Sequence, residues 1–126
     1  MRQLVTSASA PAPRFRYTPC LRAGALGFVS GMVGLDPASG ALVAGGVGAQ
    51  TQRIFDNLML ALPDYGFTLE QLCMARVYLA PMDGFAEFNA VWERQFATIA
   101  PPARTSVGVA ALPLGAAVEI EFVFHE

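Results

Sequence analysis

Histidine is nearly absent from this chain of 126 residues: His125 is the only one. A single imidazole leaves too few parts for a Ser-His-Asp triad or a zinc site, and His125 reads most simply as the end of a strand. Cysteine is almost as scarce. Cys20 and Cys73 stand far apart with no CxxC spacing, so they read as two small buried hydrophobes in a reducing compartment. Charge is thin as well, at 14% of residues against about 25% in ordinary soluble domains. With a net charge of −2 and no run of basic residues, nothing in the chain tracks a phosphate backbone, so nucleic acid is not expected as a main partner. Long apolar runs are missing too. The longest uncharged apolar stretch, Ala23 to Leu35, is interrupted by Gly24, Gly27, Gly31 and Gly34. A spanning helix needs about 20 residues without such breakers. The opening residues lack the apolar region of a secretory signal. The expectation is a soluble, cytoplasmic protein with no membrane partner.

Apolar residues are what the chain has in quantity. At 54% hydrophobic and a mean hydropathy of +0.44, it carries more apolar surface than one small core can hide, which points to burial against copies of itself. Residues 1–13, rich in Ala, Ser and Pro, read as a loosely ordered arm, and 14–126 as a single domain. A strand is expected over Arg14–Leu21 and another over Leu26–Val33, with Gly31 as a kink or bulge. Asp36-Pro37-Ala38-Ser39-Gly40 is turn chemistry. A first helix spans roughly Val47–Pro63 and is closed by Pro63 and Gly66, with Val47, Ile54, Leu58, Ala61 and Leu62 on its stripe and Gln50, Arg53, Asp56 and Asn57 mainly off it. Thr68 caps a single turn before a strand over Leu72–Leu79. Asp83 caps a second helix, whose Phe85, Phe88, Trp92, Phe96 and Ile99 repeat at helical spacing and read as core. Strands over Arg104–Ala111 and Val118–His125 close the chain, joined through Leu112–Gly115. The order ββαβαββ implies an α+β fold with one mixed sheet carrying both helices on one face.

Three segments carry a resemblance: Pro102-Ala103-Arg104-Thr105-Ser106-Val107-Gly108-Val109, then Leu112-Pro113-Leu114-Gly115, then Val118-Glu119-Ile120-Glu121. Together they resemble the signature of the RidA/YjgF superfamily, the reactive intermediate deaminases also labelled endoribonuclease L-PSP. Phe28-Val29-Ser30-Gly31, Gln50-Thr51 and Phe88-Asn89-Ala90-Val91 add to the match, which runs from about Tyr17 to the end. The resemblance implies a chorismate-mutase-like fold, a homotrimer with clefts between subunits, and no metal or organic cofactor. It also implies hydrolysis of enamine-derived imines, such as 2-iminopropanoate and 2-iminobutanoate, to 2-keto acids and ammonia.

The chemistry suits the residues. The substrate's fixed handle is its carboxylate, and a guanidinium binds that group with a planar, permanently charged fork. Taken alone, Arg104 at a strand start would more often be an exposed ion-pair partner of little weight; its place in the motif makes it the carboxylate binder. Glu119 is the candidate to activate water and move protons. Glu121 shares its side of the strand, and periodicity does not choose between them; the resemblance selects Glu119. Alternation puts Ser106 beside Arg104, where the family often has cysteine. Tyr17, Ser30, Gly31 and Asn89 match family positions lining the cleft. If the last two strands form a simple hairpin, Arg104 stands opposite His125 and Glu119 opposite Ala110, roughly 20 Å apart at about 3.3 Å per residue. Acting on one substrate, they would then come from different subunits. The chain departs from the family at Arg14-Phe15-Arg16-Tyr17-Thr18-Pro19, where Gly-Pro-Tyr-Ser is common, and at Met32, where glutamine is common; both changes bear on substrate size. Three alternatives remain open: a deaminase for a larger, aminomuconate-like substrate; a non-catalytic keto-acid-binding or chaperone-like trimer; and a ribonuclease, which the acidic pI and lack of a histidine pair disfavour.

Overall fold

The last strand organises the fold. In the computed structural model, which describes residues 1–126, Val118–His125 alternates cleanly: Val118, Ile120, Phe122 and Phe124 are buried, while Glu119, Glu121 and Val123 are only partly covered. Period-two patterning of this kind sets one side of a strand against a core. In chain order the elements are β1 (Arg2–Val5), β2 (Cys20–Ala23), β3 (Leu26–Met32), α1 (Gly46–Tyr65), β4 (Leu72–Leu79), α2 (Phe85–Gln95), β5 (Ala103–Gly108) and β6 (Val118–His125). Short 3-10 turns precede β4, α2 and β6. All six strands form one sheet in the order β1-β2-β3-β6-β4-β5. Only β4 and β5 run parallel.

The two helices lie on one face of this mixed sheet, as expected. The α1 stripe buries Val47, Ile54, Leu58, Ala61 and Leu62. Phe55, fully buried, meets the rings of Trp92, Phe96 and Phe122 at 5.8–6.0 Å between centroids, joining both helices to β6. Edge-on and tilted ring contacts at that spacing add about 0.5–1.5 kcal/mol each beyond area burial. Gln50 and Asn57 differ from their polar expectation, being buried in α1. Each ties a loop to the helix: Ala117 donates its backbone N–H to Gln50 Oε1 at 2.8 Å, and Asn57 Nδ2 donates to the Leu35 carbonyl at 2.8 Å. Such bonds offset the cost of burying an amide. Pro63 does not end α1, which runs on to Tyr65 and closes on Gly66 at φ 81°. Asp83 lies in the turn before α2 and makes no cap; Gly84 is the N-cap. Cys20 is buried as expected, but Cys73 is exposed.

Two expectations about strands are corrected. The first lies in the arm over residues 1–13, expected to be loosely ordered: Arg2–Val5 forms β1, pairing antiparallel with β2, and the strand count rises to six. Four residues beside an Ala/Pro-rich stretch are too short for a periodic signal; the pairing comes from the edge that β2 offers. The first predicted strand correspondingly starts at Cys20 rather than Arg14. The second correction is larger: β5 and β6 do not form a hairpin. Helix α2 must return its aromatic stripe across the sheet, and this βαβ crossover lays β5 parallel beside β4. Strand β6 then takes the other side of β4 and pairs with β3 beyond it.

The face away from the helices is uncovered. Cross-strand register sets Leu4, Leu21, Phe28, Val123 and Met74 in one row across five strands of that face. No helix is long and apolar enough to cross a membrane.

Candidate functional site

The candidate residues fall into two clusters on opposite faces of the sheet. The first is built on β5 and α2. Arg104 lies beside Ala75 of β4 in the ladder and, like Ala75, points toward the helices. Its Nη1 donates to Asn89 Oδ1 at 2.8 Å. The guanidinium carbon sits 4.8 Å from the centre of the Trp92 ring, 5.5 Å from Phe85 and 5.6 Å from Phe88. Ring faces attract a cation by about 0.5–2 kcal/mol without neutralising it. The chain's ion pairs are Arg22–Glu126, Arg53–Asp56 and Arg76–Glu121, so Arg104 has no carboxylate of its own. Two residues along β5, Ser106 has a buried hydroxyl oxygen with no hydrogen-bond partner. An unmet cation beside an unmet hydroxyl, both half-covered, is an arrangement suited to an anionic ligand.

The second cluster lies where β3, β6 and the segment before β2 meet. Tyr17, Ser30, Gly31 and Glu119 line a cavity of about 440 Å³, together with Arg14, Phe15, Val33, Leu35, Pro113, Leu114 and Glu121. The β3–β6 ladder breaks register between Val29 and Met32, the bulge expected at Gly31. Gly31 lacks a side chain for a visible reason: a Cβ there would stand 2.6 Å from Glu119 Oε2. We therefore expect Gly31→Ala to displace the Glu119 carboxylate with little loss of thermal stability; a crystal structure of the variant with Glu119 unmoved would show that the contact does not fix the carboxylate's place. Burial, and then the charge of Glu121, raise the Glu119 pKa above the ordinary carboxylate value. Burial, and then the Glu119 charge, likewise raise the Tyr17 phenol. Glu121 is held by the Tyr78 hydroxyl, which donates to its Oε1 at 2.6 Å, with Arg76 3.9 Å away. Ser30 donates its hydroxyl to the Thr18 carbonyl at 2.6 Å, pinning the segment that carries Tyr17.

Of the seven residues picked from the sequence, the structure thus groups Arg104, Asn89 and Ser106, and separately Tyr17, Ser30, Gly31 and Glu119. The hairpin distance between Arg104 and Glu119 is corrected with the hairpin itself. Arg104 aligns through Ala75 with Phe122, three residues from Glu119 and two strands away. That puts the two Cα atoms about 14 Å apart from strand spacing and rise. The side chains also leave the sheet on opposite faces, so the two groups still do not meet within one chain.

Sequence reasoning missed that the α2 stripe cups Arg104, since helical spacing marks the rings only as core. It also passed over Leu114, whose φ of 61° is the only positive value outside glycine. No cluster of three or more His, Cys, Asp or Glu side chains could hold a metal. All eight basic residues are arginines, so the chain has no lysine to form a Schiff base with a carbonyl substrate.

Residues 7–126 match the family described as endoribonuclease L-PSP. A RutC family protein of Pyrococcus horikoshii is 31% identical over 100% of this chain and 99% of its own length. The 2-iminobutanoate/2-iminopropanoate deaminase of Bos taurus is 35% identical over 98% of this chain and 89% of its own. Among solved structures, yeast Mmf1 superposes with a TM-score of 0.93 at 32% identity, covering 100% of this chain and 99% of that one. RidA from an Antarctic Psychrobacter superposes with a TM-score of 0.89 at 32% identity, covering 98% and 99%.

Proposed function

The chain belongs to the endoribonuclease L-PSP family, that of the RidA, YjgF and RutC proteins, and from that premise we propose that it is an imine deaminase. It hydrolyses small 2-imino acids, among them 2-iminopropanoate and 2-iminobutanoate, to 2-keto acids and ammonia. The observation that carries this reading is the pair of half-sites on opposite faces: an unpaired guanidinium on one, a pKa-raised carboxylate beside a cavity on the other. The apolar row of Leu4, Leu21, Phe28, Val123 and Met74 supports self-association, and a homotrimer brings the Arg104 of one subunit to the Glu119 of the next.

In such a site the substrate carboxylate lies in the fork of Arg104, with the Ser106 hydroxyl as a further donor. Glu119 accepts a proton from water as the oxygen bonds to the C=N carbon. The imine nitrogen takes a proton from solvent water, giving a tetrahedral amino alcohol. Glu119 then returns its proton to the amine; the C–N bond breaks, ammonia leaves, and the hydroxyl oxygen gives its proton back to solvent as the keto group forms. Imine and water are consumed, keto acid and ammonia are produced, and no electron changes hands. A carboxylate with a raised pKa suits both halves of that exchange near neutral pH. Without lysine, direct addition of water is the route open to these side chains.

The test generates 2-aminoacrylate from serine with a dehydratase and follows keto acid and ammonia. The protein is expected to accelerate both, and Arg104→Ala to abolish the acceleration. Keto acid appearing at the uncatalysed rate with the wild-type chain would overturn the reading.

A further inference from the structure

The half-site around Glu119 is larger than a three-carbon substrate requires. A 2-imino acid needs Glu119 and Tyr17 near its C=N carbon, yet the cavity they share holds about 440 Å³. Pockets of about 300–1,000 Å³ take drug-sized ligands. Its lining mixes two chemistries. Arg14, Tyr17, Ser30, Glu119 and Glu121 bring polar groups, and Phe15, Val33, Leu35, Pro113 and Leu114 supply apolar wall.

Two members of that wall stand out. Phe15 is 62% exposed and Leu114 40% exposed, so each presents apolar surface that its own chain does not cover. Leu114 moreover holds φ 61°, a left-handed conformation that L side chains adopt at a cost and that concentrates at functional sites. Its neighbour Gly115 adopts φ 70° with no such cost. A glycine at 114 would relieve the backbone, yet the chain places a leucine side chain at the cavity.

Arg14 Nη1 donates to the Gly40 carbonyl at 2.8 Å, which leaves its charge in place, and Glu121 accepts from Tyr78. Two acidic groups of the lining, Glu119 and Glu121, stand against that one cation, so the cavity offers no excess positive charge to a second carboxylate.

Resting on the deaminase reading, we infer that this site prefers 2-imino acids with a large apolar side chain, which Phe15 and Leu114 receive, and that the three-carbon imine is the poorer substrate. Selectivity then lies in the loop before β6 and the segment before β2, apart from the groups that handle the carboxylate and the water.

The experiment compares kcat/KM for 2-imino-4-methylpentanoate, made in situ from leucine by an amino-acid oxidase, with that for 2-iminopropanoate, made from serine by a dehydratase. Wild type is expected to favour the larger imine by about tenfold, the scale on which a few methylenes are discriminated in an apolar pocket. Leu114→Gly, whose backbone suits the observed φ, and Phe15→Ala should each cut that preference severalfold. A wild-type ratio near one, or a preference that neither variant reduces, overturns the inference and leaves the deaminase reading standing. Turnover of neither imine overturns the deaminase reading instead. The wall is then judged by calorimetry: tighter binding of 4-methyl-2-oxopentanoate than of pyruvate, lost in Leu114→Gly, supports it, and equal binding sinks it.

Discussion

Mixing Arg104→Ala subunits with Glu119→Ala subunits is expected to restore about a quarter of wild-type imine hydrolysis, although neither variant works alone. The two side chains leave opposite faces of the sheet, so a site that uses both draws them from two subunits. In an equal mixture, the subunit on the Arg104 side carries an intact arginine half the time. Its neighbour carries an intact Glu119 half the time, so roughly one interface in four is complete for cyclic assembly. The measurement is keto-acid formation after subunit exchange, with the unmixed variants as baselines. Recovery near zero, in a mixture shown by mass spectrometry to hold hybrid oligomers, would mean that Arg104 and Glu119 do not serve one substrate. A single chain carrying both substitutions, mixed with wild type, gives the contrasting control. There, active interfaces only dilute, and activity per wild-type subunit falls.

Replacing Glu119 by glutamine is expected to lower kcat by about 10²–10⁴-fold, the usual worth of a positioned proton carrier, while raising the melting temperature at neutral pH. The second half follows from the sign of the pKa shift. Burial and the Glu121 charge raise the Glu119 carboxyl, so the folded chain holds that proton more tightly than the unfolded chain does. The stability contributed by the protonated group is fully present below the unfolded pKa, about 4.3, and is lost as pH rises through the folded value. At pH 7 the ionised group therefore opposes folding, and glutamine removes the charge. The gain in melting temperature should shrink as pH falls toward the ordinary carboxylate range. A glutamine variant that melts lower than wild type at pH 7 would show a carboxylate stabilised by its surroundings, contrary to the shift. The same logic sets the rate profile. Activity needs ionised Glu119, so kcat/KM should fall on the acid side at a pH above the usual carboxylate range. Glu121→Gln should move that fall to lower pH.

These predictions divide along the line between what residue order carries and what packing adds. Strands β4 and β6 were legible to the residue, since Leu72–Leu79 and Val118–His125 alternate or run apolar between clear breakers. Helix α1 was legible from its stripe, and the Gly31 bulge from a glycine inside a strand pattern. The seven site candidates divide between the two clusters, Arg104, Asn89 and Ser106 in one and Tyr17, Ser30, Gly31 and Glu119 in the other. The pairing of β5 was not legible. Alternation tells which way a side chain points and says nothing of which strand lies alongside; that was settled by α2, which carries β5 across to the parallel side of β4. Strand β1 escaped notice because four residues in an Ala/Pro-rich stretch carry no period, and only the free edge of β2 gives them a partner.

The amino-acid order by itself determined the elements other than β1 and the apolar excess of the chain; it singled out Arg104 and Glu119 only through the family motif they sit in. Those properties are local: they depend on period, breakers and side-chain chemistry. Only the tertiary structure decided that Arg104 and Glu119 face opposite ways, that aromatic rings surround the first, and that Leu114 lines a cavity beside the second. Those relations depend on which strand lies between which others, a choice made by long-range packing and invisible in any window of sequence.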